Sequence, residues 1–216
     1  MQKRLRWHVH DLETGLELPP RVLDRYLWLD RLEQALAALP HSTRRRIALQ
    51  HVARCRELTV EIRALEREIP ATVRQLAPEF ASFPGCSFVG AAHLLGETAG
   101  VARFSAEDAF AMHVGTAPLP VSSGKSLRHR LNRCGNRKLN ATIHTIALTQ
   151  ARMHPPAIAF MARKKGDGMS YREALRCLKR HVTRALFRTM LRAERIRTGQ
   201  LVAVEADLNL PVAVWH

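Results

Sequence analysis

A chain of 216 residues can bury a core of its own within one or two domains, and a hydrophobic share of 46% excludes wholesale disorder. Its formal charge of +15 at pH 7 points to an anionic polymer or surface as partner. The charge is uneven: Val121 to Thr198 holds 19 Lys or Arg against 3 acids, a balance of +16, while the remainder holds 15 against 16, a balance of −1.

The opening "MQKRLRWHVHDL" is basic but has no apolar run behind it, so it is not a secretory signal, and no stretch approaches the length of a membrane span. Cys55, Cys86, Cys134 and Cys177 lie more than thirty residues apart, without the close pairs of a metal site, and read as free thiols in a reducing compartment. A cytoplasmic protein without membrane contact is expected.

Along the chain, Val22, Tyr26, Leu29, Leu32, Leu36 and Leu39 recur three or four apart between Pro19-Pro20 and Pro40, which predicts a helix over 21–39. A second helix is predicted from Ser42 or Thr43 to Ile69, with Leu58, Ile62, Leu65 and Ile69 as its apolar seam. The pair reads as an antiparallel hairpin or short coiled coil, with Pro70 kinking or ending the second helix. The texture changes at "FPGCSFVGAAHLLGETAGVARF", where a Pro-Gly turn leads into an Ala- and Leu-rich helix. "SAEDAFAMHVG" begins close to a capping box at Ser105 and Asp108 and stops at Gly115.

"NRKLNATIHTIALTQARM" is helical by its Leu139, Ile143 and Ile146, and ends before Pro155-Pro156. In the last helix Ser170 and Glu173 form a capping box, and Leu175, Leu178, Val182, Leu186 and Met190 share one face. No run alternates strongly enough to demand a sheet. In the tail, "LVAV" and "VAVW" are short strands or a frayed end. The fold class is all-α: helical linker or coiled coil over 1–80, a compact basic domain over 81–198, and a tail over 199–216.

Four groups of residues bear on chemistry. "FPGCSFVGAAHLLGE" resembles a helix-hairpin-helix, whose turn and helix start offer backbone N–H groups to a phosphate; Gly85 is present, and Ser87 takes the place of the usual second glycine. Simple helix packing is the alternative use of that turn. Arg172, Arg176, Arg180, Arg184, Arg188 and Arg192 recur every fourth residue, with only Glu173 and Glu194 as acids between Ser170 and Arg197, so they form a ridge suited to nucleic acid. His8 and His10 lack further ligands and make a weak metal signal, and His113 and His144 read as packed or solvent-facing. Trp7, Trp28 and Trp215 read as core or capping residues.

The fourth is "PLPVSSGKSLRHRLNRCGNRKLN", residues 118–140. A serine hydroxyl is a poor nucleophile unaided. Lys125, Arg128, Arg130 and Arg133 would hold a phosphate and neutralise charge developing on it, and Gly124 lets the backbone approach a ligand. No acid stands between Val121 and Arg163 to serve as base or metal ligand. Residue chemistry alone leaves both an ordinary basic loop and a phosphate-handling site open.

The order "FPGCSFVGAAHLLGE", then "HVGTAPLPVSSGKSLRHRLNRCGNRKLNATIHTIALTQ", then "GMSYREALRCLKRHVTRALFRTML" resembles the C-terminal transposase domain of the insertion-sequence one-ten family, bridge-RNA recombinases related to the pilin-gene invertases. The opening "KRLRWHVHDL" and the helical hairpin resemble the preceding linker, so the likeness runs from residue 3 to about residue 193. It implies DNA transposition by a serine that attacks the DNA backbone, a role that falls on Ser123, directly before Gly124, with Ser122 as the fallback. It also implies contacts to DNA or guide RNA through Arg128, Arg130, Arg133, Arg137 and Lys138, and a homo-oligomeric assembly is expected. Family members begin with a RuvC-like domain that supplies four acids for magnesium; this chain reads as starting after it, so no cofactor is expected here and Mg2+ only with that domain. The alternatives are a non-catalytic nucleic-acid-binding module or truncated transposase relic, and a basic scaffold for ribosomal or membrane anions.

Overall fold

In a computed structural model, residues 1–12, 15, 17–123, 126–130, 132 and 134–200 are described, those at 120–123 and 126–130 by backbone alone. The strands expected in the tail fall at 201–216, outside the described residues. The fold is all-α, and the one addition among the described residues is a two-stranded hairpin. The chain divides into two compact units, one from Met1 to Glu68 and one from Ile69 onward.

The first unit contains α1 (Gln2–Asp11), α2 (Tyr26–Ala37) and most of α3 (Thr43–Leu76). α2 starts five residues later than its periodicity suggests. Arg21 adopts a left-handed conformation (φ 59), and residues 21–25 turn before the helix begins, with Val22 and Leu23 still buried. α2 and α3 run antiparallel, as expected: Arg45 donates to the carbonyl of Ala37 (3.0 Å), and Arg56 pairs with Asp30 and Glu33, both at 2.6 Å. Leu5 and Val9 of α1, Leu29, Leu32 and Leu36 of α2, and Ala48, Val52 and Cys55 of α3 close the core. Each buried leucine contributes about 1.5–3 kcal/mol, so this core outweighs exposed ion pairs of about 0–1 kcal/mol each.

The seam expected on α3 is a correction. Ile62 and Leu65 are 52% and 58% exposed, and the helix instead buries Ala48, Val52, Cys55 and Thr59. The residues that α3 turns to the core are mostly smaller ones, which a leucine count does not reveal.

In the second unit α3 continues through Pro70 to Leu76. An interior proline costs about 3 kcal/mol. Burial of Val73 and Ala77, with Ile69 packed beside them, offsets that cost, so the helix neither ends nor breaks at Pro70. A 3-10 turn (Pro78–Ala81) leads to α4 (Phe88–Thr98), α5 (Glu107–His113), the hairpin β1 (Leu119–Ser123) and β2 (Ser126–Arg130), α6 (Arg137–Met153), α7 (Pro155–Gly166) and α8 (Tyr171–Arg197). The apolar faces read from the sequence are the buried ones: Leu139, Ile143 and Ile146 on α6, and Leu175, Leu178, Val182, Leu186 and Met190 on α8.

Local start signals fare unevenly. Ser170 and Glu173 make the capping box on α8. α5 begins one residue too late for Ser105: its N-cap is Ala106, with no side-chain cap. Pro155 and Pro156, read as a stop for α6, also start α7, because proline at the first helical position loses no hydrogen bond. Among the described residues no helix is long and apolar enough to cross a membrane, and the described cysteines are all free.

Candidate nucleic-acid interface

The stretch that carries the serines is an antiparallel hairpin. Ser123 ends β1 opposite Ser126, and Ser122 lies opposite Leu127. Because strand positions alternate between faces and directly opposed residues share one, Ser123 falls on the face of Val121, Ser126, Arg128 and Arg130. Ser122 falls on the other, with Pro120, Leu127 and His129. Gly124, Lys125 and Arg133 lie outside the described residues.

The base of this hairpin is tied by asparagines that the sequence reading passed over. α5 ends with unsatisfied carbonyls, as any helix does. Asn132 donates its amide to Met112 O (3.2 Å), the Asn136 backbone N–H to His113 O (2.7 Å), and the Asn140 amide to Val114 O (2.8 Å) and Gly115 O (3.1 Å). The chain entering the hairpin is thereby joined to the chain leaving it. Gly115 and Gly135 make this possible: a Cβ on Gly135 would stand 2.3 Å from Gly115 N. On α8, Lys179, only 8% exposed, donates to Asn140 Oδ1 (2.7 Å). One turn on, the buried Thr183 hydroxyl is hydrogen-bonded to that of Thr116 (2.9 Å). Burial pushes the Lys179 ammonium down from its ordinary value, and among the described residues no carboxylate pairs with it. His144 is held low by its own burial and then by Lys179.

At the start of α6, Arg137 is exposed, whereas Lys138 pairs with Glu97 at 2.7 Å. That hydrogen bond and a second from Asn136 hold Glu97 below the usual carboxylate range. The spacing Asn132, Asn136, Asn140, four residues apart and next to Gly135, was the available signal for the clasp, which uses the side chains of Asn132 and Asn140 and the backbone N–H of Asn136.

The arginine ridge of α8 meets acids from another helix. Counted along its own helix it lacks acids, but α5 brings two. Arg180 pairs with Asp108, and Glu107 takes Arg184 (2.7 Å) and Arg188 (3.5 Å), while Arg176 stands 3.9 Å from Glu173. Arg172 and Arg192 are exposed at the two ends. The middle of the ridge is therefore partly neutralised within the fold.

Gly85 supports the turn before α4 by close packing. With φ 74, its position would put a Cβ 3.1 Å from Ile146 O and 3.2 Å from Thr149 and Gln150 side-chain atoms of α6, and Gln150 donates to Pro84 O (2.8 Å). Ser87, in the place of a second glycine, caps α4 by accepting from Gly90 N (3.1 Å). Cys86 beside it is pushed up to about 12 by burial and is an inert thiol.

In the first unit His8 stacks near His51 (5.4 Å between ring centres), and Trp7 is 61% exposed, so it is not a core residue. Its helix turns Leu5 and Val9 inward instead. Among the described residues no group of three or more His, Cys, Asp or Glu is placed to hold a metal ion.

No curated protein matches the chain. Residues 77–162, which run from the end of α3 through α4, α5, the hairpin and α6 into α7, match the Transposase IS116/IS110/IS902 family.

Proposed function

We propose that this chain acts in DNA transposition, with Ser123 as the nucleophile that attacks a DNA phosphodiester. The observation that carries the reading is the hairpin register: Ser123, at the strand end, shares its face with Arg128 and Arg130, inside the segment that matches a transposase family. Ser122 shares its face with Leu127 and His129 and remains the fallback.

In the proposed step the Ser123 Oγ–phosphorus bond forms and one phosphorus–oxygen bond to the sugar breaks. The serine proton leaves to a base, and the departing sugar oxygen gains a proton. Cations near the hairpin stabilise the charge gathered on the phosphate. Lys125, Arg128, Arg130, Arg133 and Arg137 serve DNA or a guide RNA, with Lys138 available once released from Glu97. Arg172 and Arg176 extend the track along α8, while Arg180 and Arg184 must exchange α5 carboxylates for phosphates to join it. Gly85 contributes by shaping the turn ahead of α4. Among the described residues no group of three or more His, Cys, Asp or Glu is placed to hold a metal ion; in this reading Mg2+ is supplied by an acidic RuvC-like partner domain, within a homo-oligomer.

The test is a covalent adduct trapped on a nicked or phosphorothiolate DNA, with and without a RuvC-like acidic domain. Ser123→Ala abolishes the adduct and Ser122→Ala retains it. An adduct that survives Ser123→Ala and is lost in Ser122→Ala moves the nucleophile. DNA binding without any adduct makes the chain a binding module.

A further inference from the structure

The segments that flank the hairpin meet a buried cation whose partner is neutral. Lys179 donates to Asn140 Oδ1 at 2.7 Å, which orients that amide so that its nitrogen faces the carbonyls of Val114 and Gly115. Asn132 and the Asn136 backbone tie the returning strand to the same helix end. Thr183, also on α8, reaches Thr116 on the segment that enters the hairpin. Three elements, α5, α6 and α8, thus converge on the two stems of one hairpin.

Burying an ammonium against a neutral amide costs stability that an apolar side chain of similar volume avoids. Around Lys179 α8 buries Leu175, Leu178 and Val182, and the one buried polar neighbour a turn on, Thr183, has its own hydroxyl partner in Thr116. A lysine here is therefore poorly explained by core packing and well explained by the orientation it imposes on Asn140. Reversed, the Asn140 amide would set its oxygen against two carbonyl oxygens and release the stem.

We infer that Lys179, acting through Asn140, is a positioning residue that fixes the Leu119–Arg130 hairpin on the helical body. The catalytic part of this role rests on the assignment of Ser123 above; the positional part does not.

Lys179→Met and Lys179→Gln test it in the full chain, by hydrogen exchange along β1 and β2, thermal melting, DNA affinity and adduct formation. Lys179→Met is expected to melt no lower than wild type, yet hairpin amides exchange at least about tenfold faster while α6 and α8 core amides are unchanged. DNA affinity stays within about twofold and adduct formation falls about tenfold, since small misplacement of a reacting group is costly in rate. Lys179→Gln, which keeps an N–H donor without the charge, recovers most of the protection.

The inference is overturned if hairpin exchange is unchanged in Lys179→Met. It is equally overturned if that variant melts lower with exchange raised across α6 and α8 alike, the result of a packing role. Hairpin loosening in a protein whose wild type forms no adduct upholds the positioning and removes the serine chemistry; hairpin loosening with equal adduct from wild type and Lys179→Met upholds the positioning and removes its catalytic part.

Discussion

Gly135 and Gly85 are both required by close approach, and to different degrees. A methyl at Gly135 would meet Gly115 backbone at 2.3 and 2.4 Å, where nothing flexible can yield. At Gly85 the nearest atoms are 3.1–3.2 Å away, and the left-handed φ adds strain. Gly135→Ala is expected to cost about 4 kcal/mol or more or to prevent folding, and Gly85→Ala about 1–3 kcal/mol, in urea titrations followed by circular dichroism. Equal effects would mean that the two stems of the hairpin are less closely joined than described. Residue by residue, the sequence was informative where chemistry is local, as with the Ser170–Glu173 capping box. It was silent where a side chain acts across the fold: nothing beside Lys179 in the chain announces Asn140, 39 residues away.

Among the elements, helices with a clean apolar stripe were legible, and α6 and α8 bury the faces that their periodicity marks. Elements set by tertiary contact were not. α3 passes Pro70 because burial of Val73 and Ala77 supports its last turns, and α7 starts on the prolines that end α6. The hairpin escaped because its strands are short and rich in Ser and Arg rather than alternating, although a glycine between two such runs is a turn cue. The α5–α8 contact changes what the arginine ridge offers. Replacing both acids, Glu107→Gln with Asp108→Asn, removes the carboxylate partners of Arg180, Arg184 and Arg188. This double variant is expected to bind DNA more tightly at low salt and to show a steeper salt dependence, measured by anisotropy from about 50 to 200 mM salt. An unchanged slope would place nucleic acid elsewhere than on this ridge.

For the whole molecule, charge asymmetry was the most direct message of the sequence, and the basic stretch coincides with the hairpin and the helices α6 to α8. Histidine adds a pH dependence that composition does not contain. His113, His144, His154 and His181 are all lowered from 6.5, with burial as the first cause; at His181, Arg184, Arg180, Arg163 and Lys164 add to it. With folded values below the unfolded one, the unfolded chain takes up more protons, so stability is full above about 6.5 and falls as pH drops below it. The urea midpoint at pH 5.5 is expected to lie below that at pH 7.5, with a smaller difference in His181→Gln. A flat profile would show that these side chains are no more buried than in the unfolded chain. The central claim is tested most directly by peptide mass spectrometry of the protein trapped on DNA. A nucleotide phosphoester on Ser123, within the peptide spanning Leu119–Arg130, is the predicted result; a phosphoester on Ser122 or on another side chain, or DNA bound with no covalent mark, would contradict it.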